Sequence, residues 1–131
     1  MVFTTLRVRG IDFPVDTFLS ERQLEVSTVW RRGEPTRTGR PHEDSGFNIA
    51  QPDADSWVIA LPVVRAFLES QSELLDDLHT HGVEVILDLG VTAGEEKSYA
   101  PSLDFPPDLL AQFAARGVTL CVSAYPTSDE A

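Results

Sequence analysis

Hydrophobic and polar residues alternate in three segments of the chain, which predicts three β-strands. The first strand covers residues 2–9, with Leu6 and Val8 on one side and Phe3, Thr5 and the two arginines on the other. The segments "GVEVILDLGV" and "VTLCVSAYP" repeat the alternation. Two more strands are predicted in "LEVSTVWR" and "SGFNIA", so residues 25–50 are expected to form a hairpin with a wide loop. The positions expected to face the core are Leu6, Val8, Val83, Val85, Leu87, Leu89, Val91, Val118, Leu120, Val122 and Ala124.

Three helices are predicted between these strands. The segment "FPVDTFLSER" has Pro14 near its start. The clearest helix begins near Leu61, holds Pro62 in its first turn and ends at Gly82. The segment "DFPPDLLAQFAARG" has prolines at the start of a helix and Gly117 just past its end. In the clearest helix, the core-facing stripe is Leu61, Val64, Leu68, Leu75 and Leu78, and the outward residues are Arg65, Glu69, Ser72, Glu73 and Asp76.

The predicted order of elements is β-α-β-β-α-β-α-β, in a single domain that covers residues 1–131. Alternation in the strands indicates a sheet with one apolar and one polar face, as in antiparallel sheets that are covered on one side. The fold class is therefore expected to be α+β. We expect a two-layer sandwich in which a mainly antiparallel sheet of about five strands is covered on one face by helices, in a ferredoxin-like manner.

The charge of the chain restricts its partners. A net charge of -11 repels phosphate groups, which argues against general nucleic-acid binding and favours a basic partner. Cys121 is the single cysteine, which excludes an internal disulfide and suits a reducing compartment. The sequence has no apolar run typical of a signal peptide or a membrane span. We therefore expect a soluble cytoplasmic protein that binds neither nucleic acid nor membranes.

The polar side of the sheet is the first candidate recognition surface. If the first, fourth and last strands are neighbours, this side carries Arg7, Arg9, Glu84, Asp88, Ser123 and Tyr125, together with Thr119 and Cys121. Two interpretations are open: opposite charges pair across strands in water, or the side chains form a recognition surface or shallow site. Asp88 is the most informative residue, because a mid-strand carboxylate is costly to bury without a partner.

A Gly- and Pro-rich stretch between two predicted strands concentrates positive charge. The segment "TVWRRGEPTRTGRP" contains four of the ten basic residues, and its candidate contact residues are Trp30, Arg31, Arg32, Arg37 and Arg40. Its glycines and prolines indicate a turn that joins two strands. Its arginines are expected to pair locally with Glu43 and Asp44. Trp30 and Trp57 are expected either to pack in the core and hairpin or to anchor a protein partner.

Signals for metal binding and catalysis are weak. The groups expected to be solvated are His79 with His81, His42 with Glu43 and Asp44, and Glu95 with Glu96 and Lys97. The sequence has no nucleophile elbow, phosphate-binding loop or dinucleotide fingerprint, and Cys121 has no histidine near it in sequence. We assign no catalytic residue, metal ligand or cofactor. An enzyme whose site comes from distant strands is the less favoured alternative.

Several segments resemble a bacterial family known as domain of unknown function 4279. They are "TLRVRG", "STVWRRGEP", "SGFNIA" and "LLAQFAARGVTLCVSAYP", and "LDLGV" also fits. The similarity spans nearly the whole chain, although relatives often carry Trp where this chain has Phe47. The resemblance implies a compact α+β domain and supplies no catalytic residues. By analogy, small acidic bacterial proteins of this kind include immunity proteins, which neutralise a toxin by binding it.

Three functions are compatible with the sequence. The leading hypothesis is a non-enzymatic protein-binding domain, of the immunity type, that meets a basic partner. The alternative is a small-molecule-binding protein or enzyme that uses the polar face of the sheet, with Asp88, Glu84 and Arg7 or Arg9 as its polar groups. The third is a homodimer formed through a free strand edge or a helix face, so a monomer and a homodimer both fit.

Overall fold

A five-stranded sheet forms one layer of the protein, and helices form the other. The computed structural model describes residues 1–93 and 102–126. Within these residues the elements are β1 (Val2–Gly10), α1 (Val15–Arg22), β2 (Thr28–Trp30), β3 (Ser45–Ala50), α2 (Trp57–Ser70), α3 (Ser72–Thr80), β4 (Glu84–Ala93), α4 (Pro107–Ala115) and β5 (Thr119–Pro126). The α+β fold class is confirmed. The predicted succession differs at one point, because the long helix is two helices, α2 and α3.

The central strand of the sheet is β1, and the strand order is β2-β3-β1-β4-β5. Antiparallel pairing joins β2 to β3, β3 to β1 and β1 to β4. The first four strands therefore have the order and directions of the ferredoxin-like split β-α-β arrangement. The last strand, β5, pairs with β4 in parallel, and the connection between them contains α4. The mainly antiparallel sheet of the prediction is thus extended by one parallel strand.

Alternation along the two central strands decides which side chains enter the core. Leu6 and Val8 of β1 are completely buried, and the register places them opposite Leu87 and Val85 of β4. The helices cover this side of the sheet: α2 packs on β1, α3 on β4, α1 on β3 and α4 on β5. The core positions predicted in β1 and β4 are confirmed, because all of them inside those strands are buried.

Two predicted core positions in β5 are wrong. Val122 and Ala124 are exposed, although the register aligns them with the buried residues Leu89 and Val91 of β4. The reason is that β5 is an edge strand with a neighbour on one side only. Of the described helices, α4 packs against it.

The start of the long predicted helix is also corrected. It begins at Trp57 instead of Leu61, because the side chain of Ser56 caps it by accepting a hydrogen bond from the backbone N–H of Ile59 at 3.4 Å. Pro62 therefore lies in the second turn. Its missing N–H leaves the carbonyl of Val58 without a helical partner, and Val58 is exposed to water.

A break at Gln71 separates α2 from α3. Gln71 has φ −103° and ψ 20°, outside the helical range, while its N–H still bonds to the carbonyl of Phe67 at 2.9 Å. The change of direction lets α2 pack on β1 and α3 pack on β4. None of the helices in residues 1–93 and 102–126 is long and apolar enough to cross a membrane.

Gly46 of β3 provides a test of how closely the strands and the β2 edge are packed. A Cβ atom at this position would collide with the carbonyl oxygen of Val8 and lie 2.6 Å from Cζ2 of Trp30. We expect Gly46→Ala to lower the free energy of unfolding by about 3 kcal/mol, because backbone must move to relieve the collision. Urea denaturation followed by circular dichroism measures the change.

The matched control is Gly39→Ala, at a position where a Cβ would meet no atom within 4 Å but φ is +89°. This change is expected to cost only about 1 kcal/mol, from backbone strain alone. Equal losses for the two variants would contradict the close approach of β1, β2 and β3 at Gly46.

Candidate functional site

The open face is the side of the sheet that is turned away from the helices. All six residues of the predicted recognition surface lie on it: Arg7, Arg9, Glu84, Asp88, Ser123 and Tyr125. They come together because side chains alternate along each strand and because β1, β4 and β5 are neighbours, as the prediction assumed.

Asp88 is the most enclosed of the four charged groups on the open face. Its Oδ2 accepts a hydrogen bond from Nη2 of Arg7 at 3.0 Å, and its Oδ1 accepts one from the hydroxyl of Ser123 at 3.2 Å. The Asp88 side chain is 13% exposed and that of Arg7 is 35% exposed. Each carboxylate oxygen therefore has a partner that offsets its partial loss of water.

The second ion pair on the open face is solvated. Nη2 of Arg9 donates to Oε1 of Glu84 at 3.0 Å, and the two side chains are 42% and 48% exposed. Both arginines of the face are thus paired with carboxylates from β4, so the four charges cancel. This is the arrangement expected if opposite charges pair across neighbouring strands.

A shallow cleft lies at one end of the open face. Phe3 and Tyr125 approach Gly90 from two sides, and a cleft of about 370 Å³ extends from them over Thr5 to Asp88. The carboxylate of Asp88 already has two hydrogen-bond partners. The one carboxylate among the described residues that line the cleft is therefore already committed to other side chains.

Trp30 fixes the base of the hairpin between β2 and β3. Its indole Nε1 donates to Oδ1 of Asp44 at 2.8 Å, and its ring stacks on His42 at a centroid distance of 6.2 Å. The hairpin itself is ordered by backbone bonds, such as Gly33 N–H to the carbonyl of His42 at 2.9 Å. Trp30 therefore packs within the hairpin, and Trp57 is buried in the core.

The arginines at the base of the hairpin have different partners from those predicted. Arg31 makes two hydrogen bonds to the carboxylate of Asp16, at 2.8 and 2.7 Å, and a looser ion pair at 3.6 Å with Glu34. Arg32 lies 3.5 Å from Asp12. Pairing with Glu43 and Asp44 is therefore wrong. The reason is that the end of β2 lies beside the start of α1, while Asp44 accepts the indole hydrogen bond.

The two hydrogen bonds between Arg31 and Asp16 change the pKa of both side chains. The hydrogen bonds from the Arg31 guanidinium hold the pKa of Asp16 below its ordinary value, and those to Asp16 raise the pKa of Arg31. At the tip of the hairpin, Arg37 and Arg40 are exposed. Neither of them forms an ion pair with a residue that the structure describes. We call these two residues the basic tip.

His81 packs against two aromatic rings. The His81 ring meets the rings of Phe18 and Phe13 edge-on, at centroid distances of 5.3 and 6.0 Å. In residues 1–93 and 102–126, no group of three or more histidine, cysteine or acidic residues is placed to hold a metal ion. The predicted solvated group Glu95, Glu96 and Lys97 lies outside the described residues.

Sequence reasoning missed the outward side of α2. Val58, Ile59 and Val63 are 81%, 53% and 41% exposed, while Trp57, Val64 and other residues on the opposite side of the helix are buried. A stretch of helix that is apolar all round, as residues 57–64 are, is normally covered on all sides. The exposed apolar residues of α2 are Val58, Ile59, Pro62, Val63 and Ala66, and we call them the α2 face.

A groove of about 660 Å³ runs beside the α2 face. We call it the α2 groove. One wall is α2, with Val63 and Phe67, and the other is the chain after α1, with Leu24 and Glu25. Its lining residues are Leu24, Glu25, Ile49, Gln51, Pro62, Val63, Ala66, Phe67, Ser70 and Gln71. Its volume is in the range of ligand pockets, but it is open along its length.

Carboxylates lie beside this apolar surface in two places. Glu25 lines the α2 groove, and Asp53 and Asp55 precede the first turn of α2. None of the three forms an ion pair with a described residue. The α2 face is therefore an uncharged stripe with uncompensated negative charge on two sides.

Comparison with known proteins finds no similar protein: no family model, no curated protein and no solved structure matches the chain. The open face and the α2 face therefore have to be judged on their geometry and charge.

The difference in burial between the two ion pairs of the open face predicts a difference in their strength. In double-mutant cycles with alanine, we expect a coupling energy of about 1 kcal/mol for Arg7 with Asp88 and about 0.3 kcal/mol for Arg9 with Glu84. The partly enclosed pair is less screened by water, and Ser123 holds its carboxylate in place. Equal coupling energies in urea denaturation would show that Asp88 is as solvated as Glu84.

The contact between Asp16 and Arg31 predicts a dependence on pH. Because the folded-state pKa of Asp16 is lowered, the contact stabilises the fold above the ordinary aspartate pKa, and this stabilisation is lost as the pH falls through the lowered pKa. In an NMR titration, Arg31→Ala should return the pKa of Asp16 to its ordinary range. The pKa of Asp108, which is lowered by Arg65, should stay unchanged in the same sample and serves as the internal control.

Arg37→Ala is the matched variant for the same hairpin. It should leave both titrations unchanged and alter the free energy of unfolding by less than about 0.5 kcal/mol, because Arg37 is an exposed residue outside these contacts. A loss above about 1 kcal/mol would show that the basic tip is tied to the body of the protein.

Proposed function

We propose that this chain is a non-enzymatic protein-binding domain and that the α2 face is its contact surface. The observation that carries the proposal is the exposure of Val58, Ile59 and Val63 on one side of a helix whose other side is in the core. Contiguous apolar surface of this kind is costly in water and marks interaction sites. Residues 57–64 of α2 include no charged residue, as in the centre of protein interfaces, where charged residues are depleted.

The charge of the chain supports a basic partner. Lys97 is the single lysine among ten basic residues, which leaves nine arginines. Seven of them form ion pairs with carboxylates of the described residues: Arg7, Arg9, Arg22, Arg31, Arg32, Arg65 and Arg116. Since the chain has 21 acidic residues, most of the uncompensated charge is negative. Such a field accelerates association with a positively charged protein.

We also propose the finer assignments that the sequence suggested. Membership of the bacterial family of domain of unknown function 4279 and a toxin-immunity type of activity fit a small acidic domain with an apolar contact surface. A basic toxin would be a partner of the required charge. We propose the cytoplasm as the compartment, because the chain has a single cysteine. A monomer is the proposed state, because two copies of charge -11 repel each other.

A second candidate function is small-molecule binding in the cleft between Phe3 and Tyr125. The two aromatic side chains and the floor at Gly90 favour it. It ranks below protein binding because Asp88, the carboxylate of the cleft, is neutralised by Arg7. If the cleft binds no ligand, the main role of the open face is to hold β1, β4 and β5 together.

Affinity capture with charge-matched variants tests the protein-binding proposal. Wild-type protein should retain at least one basic protein from a lysate of the source cell. The double variant Ile59→Glu with Val63→Glu should lose it, because carboxylates in the contact surface cannot be buried without a partner. Quantitative mass spectrometry of the retained proteins measures the difference.

The control variant is Ile11→Glu with Val122→Glu, which adds the same charge at exposed apolar positions away from α2. It should retain the same protein as the wild type. The proposal fails if wild-type protein retains nothing specific, or if both double variants lose the partner equally.

A further inference from the structure

The α2 groove supplies more than an apolar patch, because its shape and its surroundings restrict what can fill it. Side chains on α2 that are four residues apart form two ridges on its outward side, Ile59 with Val63 and Val58 with Pro62 and Ala66. The ridges run for about 12 Å along the helix, at 1.5 Å per residue. A groove bounded by helical ridges accepts another helix with its own ridges.

The α2 wall of the groove offers side chains and little free backbone. Beyond the first turn, the backbone N–H groups of α2 are bonded within the helix, and Pro62 has none. On the opposite wall, the N–H of Leu24 bonds to the carbonyl of Leu19 at 3.4 Å. At the end of β3, the N–H of Gln51 bonds to the carbonyl of Thr4 at 2.9 Å. An added β-strand would need a row of unpaired backbone groups, whereas a helix needs apolar side-chain contacts.

The charges at the groove indicate what flanks the apolar stripe of the partner. Glu25 lies on the wall opposite α2. Asp53 and Asp55 directly precede the N-terminus of α2. A second copy of this chain would bring the same carboxylates against them. A helix with lysine or arginine beside its apolar stripe would pair with them instead.

Taking these observations together, we propose that the α2 groove binds an amphipathic helix of a partner protein, with apolar residues at positions i, i+4 and i+7 and basic residues on both flanks. This inference rests on the proposed protein-binding function and names the partner element. The apolar side chains of the helix cover Val63 and Phe67 in the α2 groove and Ile59 beside it, and its basic residues face Glu25 and the acidic turn before α2.

Three synthetic peptides of about 15 residues serve as probes. The first has leucines on one helical face and lysines on both flanks. The second has glutamates in place of the lysines, and the third has the composition of the first in an order without an apolar face. Fluorescence anisotropy at about 0.15 M salt, where exposed charges are partly screened, measures the binding of each peptide to the folded protein.

We expect the first peptide to bind at least about tenfold more tightly than the other two. Ile59→Ser with Val63→Ser, which leaves the charge unchanged, should weaken its binding about tenfold. The control Ile11→Ser with Val122→Ser should bind as the wild type does, since neither residue lies on the α2 face or lines the α2 groove.

Three results would overturn the inference. One is equal binding of the first and third peptides, which would mean that charge alone is recognised. Another is wild-type sedimentation as a dimer that Ile59→Ser with Val63→Ser dissociates, which would mean that a second copy covers α2. The last is a failure of the first peptide to bind, although the protein still captures a basic partner through Ile59 and Val63. In that case the protein-binding function would remain, but the partner would not bind through an amphipathic helix.

Discussion

Antiparallel pairing of β1 on both of its edges is the constraint on which both surfaces of this protein depend. Because β1 lies between β3 and β4, its register fixes which side of the sheet becomes core. Leu6 and Val8 then face the helices, and Arg7 faces the open side beside Asp88. A slip of one residue would exchange the two sets of side chains, so the core and the ion pairs of the open face report the same register.

The two layers meet their electrostatic and hydrophobic requirements in different ways. On the open face, arginines of β1 pair with carboxylates of β4, which leaves that side polar and locally neutral. In the helix layer, α2 has its core side against β1 and an apolar side against water. The polar groups on the open side of the sheet thus find their partners within the chain, whereas the outer side of α2 leaves apolar side chains exposed to water.

The fold could be derived from the sequence where alternation is regular. The strands β1 and β4 and the polar residues on their open side follow from a period of two. The partners of Arg31 and Arg32 could not be derived. Asp16 and Asp12 reach these arginines only because the tertiary fold places the start of α1 beside the end of β2. The exposure of Val122 depends equally on an edge position that no local pattern encodes.

The α2 face could have been predicted from the sequence if the start of the helix had been placed correctly. When Pro62 is assigned to the first turn, the apolar residues before Leu61 fall outside the helix and their common side is not recognised. The Ser56 cap moves the start to Trp57, and the absence of any charged residue between Asp55 and Arg65 then becomes a signal of a helix whose first two turns are apolar all round. The sequence does not say which side of α2 is exposed. The tertiary structure shows this, because it shows which side of the helix packs on the core.

Side-chain footprinting of the protein in complex with its cellular partner is the most direct measurement of which surface is used. The geometry and charge predict that complex formation protects Val58, Ile59 and Val63 from chemical labelling, while Phe3 and Tyr125 on the open face stay as reactive as in the free protein. Protection of Phe3 and Tyr125 with full labelling of the α2 residues would contradict the assignment of the α2 face as the contact surface.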